Sequence, residues 1–207
     1  ILEFFSDGGT VVVPTFSYSF IKKEDFDREK TPSVVGQFSE YFRIFPNVLR
    51  SNNPNFSVAA FGRNARAFTY SRIDDAFGKN TAFDLIKKMN GKIICLGCVF
   101  NAVTFVHHVE QNFGVPYRYF KKFSGTLCEG GVKKNLLTTY YVRDLSINSE
   151  IDLKLLQDTL LKRDQLYLGE IGRLPLLVTD ASNLFETATE LLKKDTYALI
   201  KETRKAH

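Results

Sequence analysis

The sequence predicts an α/β fold, a layered α/β/α domain built on a central mixed sheet. Two observations predict it. β-Branched and aromatic runs such as "GTVVVPTFSY" and "KIICLGCVF" alternate along the chain with amphipathic runs at helical spacing such as "EIDLKLLQDTLLKRDQ". The 207 residues, 44% of them hydrophobic and free of low-complexity runs or repeats, are enough to bury one substantial core. A single domain over residues 1–207 is therefore expected.

Taken in order, "ILEFF" reads as the middle of a helix. It carries neither an initiator Met nor the charged region and small-residue cleavage site of a signal peptide, so the natural protein is expected to start earlier. Residues 9–18 follow the Gly8-Gly9 breaker, are rich in valine and read as a buried strand running into a loop. Residues 30–46 open on Thr31-Pro32-Ser33, a helix-start signal. They carry Val35, Phe38, Tyr41 and Phe42 near helical spacing and stop at Pro46. Residues 53–69 read as a turn leading to a small-residue strand or a short helix. Residues 81–92 form a helix by the Thr81 cap, Asp84 three places on, and the Gly91 stop. "KIICLGCVF" is then a central buried strand and "AVTFVHHVEQNFG" a helix closed by Gly114. A strand over 136–147, a helix over 150–165 and one or two short strands in "LYLGEIGRLPLLVTD" follow. A terminal helical region opens at Ser182.

Composition narrows the function classes. Net charge is +5 with a pI near 9.0, compatible with nucleic acid, an anionic surface or a phosphorylated cofactor. The lysine pairs are dispersed beside apolar residues, as on solvated rims, so no nucleic-acid partner is expected. No apolar run approaches the roughly 20 residues of a membrane-spanning helix, and no membrane insertion is expected. Three cysteines fit a reducing cytoplasm better than a disulfide framework. Cys95 and Cys98 form a C-x-x-C, but inside an apolar run rather than at a helix start, which suits a buried strand rather than redox chemistry. With only His107, His108 and His207 to add, no metal site is expected.

"NAVTFVHHVEQNF" holds two of the three histidines. Thr104, His107 and Glu110 recur at spacings of three, which is one helical face, beyond the carboxyl end of the preceding strand, where open α/β sheets bind ligands. His108 lies about 100° round the helix and belongs to another face. A neutral histidine can accept a proton at pH 7, and a carboxylate beside it fixes its tautomer and stabilises the imidazolium. The same spacing equally describes a helix-start turn with a threonine cap and a surface His–Glu pair, and spacing alone leaves both open.

Four ordered blocks, "GGTVVVPTFSYSF", "TPSVVGQFSEYFRIFPNVLRSNNPNFSVAAFGRNA", "GKIICLGCVFNAVTFVHHVEQNFGVPYRYFK" and "LGEIGRLPLLVTDASNLFETATELLKKD", cover nearly the whole chain. Together they resemble the aminoglycoside 3-N-acetyltransferase-like (antibiotic N-acetyltransferase) family. The resemblance implies an enzyme transferring acetyl from acetyl-CoA to the amine of a small-molecule amino-sugar acceptor, and the cysteine count and missing ligand set add the expectation of a cytoplasmic protein without metal. The family's T-x-x-H-x-x-E block maps onto Thr104, His107 and Glu110 as the catalytic set. The first block implies cofactor contacts at Thr15, Phe16 and Ser17, and the second implies substrate contacts at Glu40, Arg50, Ser51, Asn53 and Ser57. Direct attack of the acceptor amine on the thioester is implied, with His107 as base, rather than an acyl-enzyme on Cys98.

Two departures from the family pattern matter. Where members read R-S-x-H-P, this chain has Arg50-Ser51-Asn52-Asn53-Pro54, so a histidine is replaced by an amide that cannot take a proton at neutral pH. The family's front segment, which helps bind coenzyme A, falls before the block that matches Ile1: cofactor binding is compromised if the protein begins there, and is restored by the preceding residues if this chain is a fragment. The positive charge also disfavours a polycationic acceptor, so a surface-polysaccharide or nucleotide- or lipid-linked amino sugar is the expected substrate. The alternatives are a resistance-type aminoglycoside acetyltransferase and a catalytically impaired sugar-binding member of the fold.

Overall fold

The computed structural model describes residues 8–201. The helix-like start read at "ILEFF" and the last residues of the terminal helical stretch, with His207, lie outside them. The chain forms two compact units, one made of residues up to Ala82 with Lys121–Tyr140, the other of Phe83–Phe120 with Tyr141 onward.

In the first unit β1 (Thr10–Pro14) pairs antiparallel with β4 (Val58–Gly62), which pairs on its other side with β3 (Leu49–Arg50). β4 reads Val-Ala-Ala because its first three residues are buried and small, leaving room for Val13 and Phe42 to close over Ala59. The strand expected over 9–18 ends at Pro14. Beyond it the amides of Thr15 and Ser17 donate to the carbonyls of Ser57 and Asn55 instead of to a strand. The helix expected over 30–46 is reduced to α1 (Gln37–Arg43), since Gly36 before it adopts φ +120°. Its apolar spacing does not aim at the core: Phe38 and Tyr41 are 55% and 63% exposed, and only Ser39 and Phe42 are buried. Both readings of 53–69 are realised, as β4 and then α2 (Ala65–Thr69).

β2 (Phe26–Asp27) pairs parallel with β6 (Arg118–Glu129), whose other neighbour is β7 (Val132–Arg143). Gly130 and Gly131, at φ +54° and +80°, form the two-residue turn between them. β6 was not expected from the sequence. Its first three residues and the last three of β7 belong to the second unit, the rest to the first. Leu127 on β6 packs with Phe20 and Phe26 in a second core cluster of the first unit's described residues.

The second unit contains most of α3 (Ala82–Lys88) and the antiparallel sheet β5-β9-β8, formed by β5 (Lys92–Leu96), β9 (Leu174–Asp180) and β8 (Leu166–Ile171). Among the described residues β5 is an edge strand, not a central one, and only Cys95 of its five residues is buried. Cys98 lies past its end and is exposed. The helices α4 (Val106–Phe113), α5 (Lys154–Lys162) and α6 (Ala181–Lys194) supply the core. Leu156 and Leu160 on α5, with Leu184, Ala188 and Leu192 on α6, recur four apart and are fully buried, one apolar stripe per helix. The N-cap of α6 is Asp180 rather than Ser182.

Among the described residues the strands form three three-stranded sheets and alternate along the chain with helices, a mixed α/β composition. Among the described residues no helix is long and apolar enough to cross a membrane.

Candidate active site

α4 is placed by its apolar residues. Gly97 at φ +67° turns the chain out of β5, and a 3-10 turn over Phe100–Ala102 leads to Val103, Phe105, Val106 and Val109, all buried. The helix begins at Val106, so Thr104 sits on the turn before it, where its carbonyl accepts the His107 amide at 3.0 Å. His107 and Glu110 are one turn apart inside the helix. The Nδ1 of His107 lies 2.6 Å from Glu110 Oε2.

At the other end Gly114 adopts the left-handed conformation, φ +79°, and its amide donates to the Glu110 carbonyl at 2.9 Å. This turn sends the chain back past the helix, through buried Val115 and Tyr117, to Arg118 at the start of β6. Arg118 Nε then stands 2.8 Å from Glu110 Oε2 as an ion pair, Nη1 donates to the Tyr141 carbonyl at 3.2 Å, and Nη2 lies 3.0 Å from His107 Nδ1. The Tyr141 hydroxyl donates to the Val115 carbonyl at 2.6 Å, tying β7 to the same return.

Burial divides the labour. The Glu110 side chain is fully sealed and that of Arg118 is 7% exposed, whereas the His107 ring keeps 23% of its surface. The imidazole is the member of the set that an outside molecule can reach. Burial alone would raise the Glu110 pKa, but His107, Arg118 and the neighbouring Tyr117 hydroxyl outweigh it and hold the carboxyl below its ordinary range. His107 is depressed below the ordinary histidine value by burial first, with Glu110 opposing and Arg118 adding to the depression. A neutral imidazole facing an ionised carboxylate at 2.6 Å carries its proton on Nδ1, leaving the lone pair on Nε2. That is the arrangement of a general base. Removing one partner of such a buried ion pair costs about 3–5 kcal/mol, so Arg118 also contributes to stability.

His108 faces elsewhere. It is 1% exposed, between the rings of Phe105 and Phe185, with Asn112 Nδ2 3.2 Å from its Nδ1. Among the described residues no group of three or more His, Cys, Asp or Glu could hold a metal. Burial and the adjoining Cys98 push the Cys95 thiol up to about 12, so it is protonated and inert at neutral pH.

The remaining sequence-chosen residues lie in the first unit, where most turn their polar atoms inward. The buried Arg50 guanidinium donates to the carbonyls of Thr15 (2.7 Å), Thr31 (2.5 Å) and Arg28 (3.2 Å) and to Ser57 Oγ (3.1 Å), and burial followed by Arg43 lowers its pKa to about 9. Ser57 and Thr15 bond each other. Ser17 Oγ donates to the Pro54 carbonyl and Ser51 Oγ accepts the Val58 amide, while Phe16 is buried against Phe56. Glu40 accepts from Arg43 and from the Ser33 amide. Asn53 is 5% exposed and its amide is saturated. Nδ2 donates to the carbonyls of Ile73 and Asp75, and Oδ1 accepts from the amides of Asn55 and Phe56 and from the Tyr140 hydroxyl at 3.0 Å.

Arg118 and Tyr117 escaped the sequence reading. The available signal was Glu110 itself. It falls on the buried stripe of α4 with Val106 and Val109, where an ionised carboxylate needs a cation, and Arg118 is the first basic residue after the helix stop.

A family model described as aminoglycoside 3-N-acetyltransferase matches residues 1–193. Aminoglycoside N(3)-acetyltransferase VII of Streptomyces paromomycinus is 30% identical over 97 residues, 46% of this chain and 34% of that protein. The chain thus spans about a third of the length of this curated relative. Among solved structures, AAC-IIIb in a binary complex with CoASH superposes with a TM-score of 0.77 at 21% identity, covering 90% of this chain and 78% of that one. AAC-VIa bound to sisomicin superposes with a TM-score of 0.78 at 20% identity, covering 90% and 79%. These structures share the fold.

Proposed function

This chain belongs to the aminoglycoside 3-N-acetyltransferase family, and from that membership we propose that it acetylates an amine of an aminoglycoside-type amino sugar, with His107 as general base. The observation that carries the reading is the 2.6 Å contact between a sealed, ionised Glu110 and a partly exposed His107. Acetyl-CoA supplies the thioester. His107 Nε2 takes the proton that the acceptor ammonium must lose before its nitrogen can attack the acyl carbon. Glu110 stabilises the imidazolium so formed; the amine attacks the acyl carbon, the C–S bond breaks, the new amide nitrogen sheds its second proton to the departing thiolate, and the imidazolium returns its own to the medium. Thr104 contributes the carbonyl that starts the helix turn. Thr15, Phe16, Ser17, Arg50, Ser51 and Ser57 act through the shape of their loops, since their polar groups are engaged inside the first unit. Asn53 belongs with them, its amide being saturated.

The matched relatives are named for aminoglycosides, which supports that acceptor class over the polysaccharide- or nucleotide-linked sugar expected from net charge. The net charge of +5 still favours the second reading. One experiment separates them: incubation of the full-length protein and acetyl-CoA with sisomicin, gentamicin and a mono-amino sugar phosphate, following thiol release and acceptor mass. Acetylation of the aminoglycosides is expected. Modification of the sugar phosphate alone transfers the assignment to the second reading, and no acetylation of any acceptor refutes both.

A further inference from the structure

We propose that Arg118 is a positioning residue for His107 and Glu110, holding them in the single arrangement in which His107 accepts a proton at Nε2. The inference rests on the reading of His107 as the base. A guanidinium is planar, and its donors point in fixed directions. In this structure Nε forms an ion pair with Glu110 Oε2 at 2.8 Å, Nη1 donates to the Tyr141 carbonyl at 3.2 Å, and Nη2 stands 3.0 Å from His107 Nδ1. The ion pair with Glu110 and the hydrogen bond to the Tyr141 carbonyl hold the guanidinium, and they place its positive charge beside the His107–Glu110 pair.

Two consequences follow for the imidazole. His107 and then Arg118 hold the fully buried Glu110 ionised, and the carboxylate must take its hydrogen bond from Nδ1–H, which selects one tautomer. Because the same guanidinium stands beside the ring, the charge of Glu110 is already compensated at rest and does not capture a second proton on the imidazole. His107 is thereby oriented by a carboxylate yet kept neutral. Among the described residues the charged and titratable groups facing it include Glu110 on its own helix, Tyr117 just before β6, Arg118 at its start, and Tyr141 on β7. Burial, then Glu110, raises both phenols, so they stay protonated and Arg118 is the compensating charge. α6 meets α4 with the aromatic Phe185, against His108. A lysine ammonium is a point donor and cannot span these partners.

The test reads His107 without any acceptor. Long-range 1H–15N correlation spectra of the full-length protein, with His107 assigned by the signal lost in His107→Gln, report its tautomer and titration midpoint. The wild-type ring is expected to carry its neutral proton on Nδ1 and to titrate below about 6.5, the ordinary histidine value. Arg118→Gln is expected to raise the midpoint by about one pH unit, the scale of removing a close like charge, and the acid limb of the pH–rate profile should move with it. A proton on Nε2 in the neutral wild type, or an unchanged midpoint in folded Arg118→Gln, overturns the inference. If Arg118→Gln does not fold, Arg118→Lys, which keeps the charge but not the planar fork, is read in its place, and a wild-type tautomer and pH–rate profile in that variant overturn the inference. If the spectra behave as expected but no acceptor is acetylated, the inference about Arg118 stands and the proposed function fails.

Discussion

At His107, the proposed base, the reaction would depend on where one proton sits. The depressed histidine pKa means the base is unprotonated at neutral pH, and activity should hold down to below about pH 6.5 before falling as the imidazole protonates. A pH–rate profile whose acid limb lies above that value contradicts the assignment. Replacing His107 by Gln should cost about 10²-fold or more in turnover. His108→Ala should lower thermal stability instead, because its ring fills space between Phe105 and Phe185. Stability has its own pH sign. Glu110 and His107 are both depressed in the folded state, so each contributes stability above its unfolded pKa that is lost as pH falls through the folded value. Thermal midpoints should therefore decline on acidification from pH 7 to pH 4, and Glu110→Gln should flatten that decline. The spacing of three between His107 and Glu110 was legible in the sequence because both lie within one helix. Arg118 was not, because a left-handed turn at Gly114 intervenes and its carboxylate partner is known only once the chain has folded back. At Asn53 the family pattern suggested a substrate contact. Its donors and acceptors are all occupied within the first unit, which a lone amide in a sequence cannot reveal.

Elements with one-sided burial were the ones the sequence showed well. The α5 and α6 stripes, four apart, and the Gly114 stop of α4 could be read directly, since a helix burying one face leaves a period. β6 left none: "RYFKKFSGTLCE" is exposed at four consecutive positions on both faces near its start, so the alternation that marks a half-buried strand is missing. β5 misled for the opposite reason, since an edge strand can be apolar without being covered. Two glycines distinguish conformational cost from collision. Gly114 needs φ +79° and has open space where a Cβ would stand, so Gly114→Ala should cost about 1 kcal/mol, from backbone strain alone. Gly62 needs φ +106° at the end of β4, and a Cβ there would meet the Gly9 carbonyl oxygen at a backbone distance that cannot be accommodated. Gly62→Ala should therefore destabilise several-fold more in denaturant titration, by forcing β1 and β4 apart. Equal midpoints for the two variants would show that the β1–β4 end yields freely.

At the scale of the whole molecule, net charge and acceptor class pull in opposite directions. A chain of net charge +5 repels a polycationic aminoglycoside at long range and attracts the phosphates of acetyl-CoA. Salt screens both beyond a Debye length, about 8 Å at physiological ionic strength. If the net field governs encounter, raising the salt should increase KM for acetyl-CoA while leaving KM for sisomicin or gentamicin flat or lowering it. If carboxylates near the acceptor override the net charge, aminoglycoside KM should instead climb with salt. Steady-state kinetics across a salt series, each substrate varied with the other saturating, measures the two slopes independently. Slopes of opposite sign are expected, because the 28 basic and 23 acidic residues are dispersed along the chain with no long acidic run to reverse the field. Parallel rising slopes would locate a strongly negative acceptor pocket within a positively charged protein. The expectation of a neutral or anionic amino sugar, which rested on net charge alone, would then lose its physical basis.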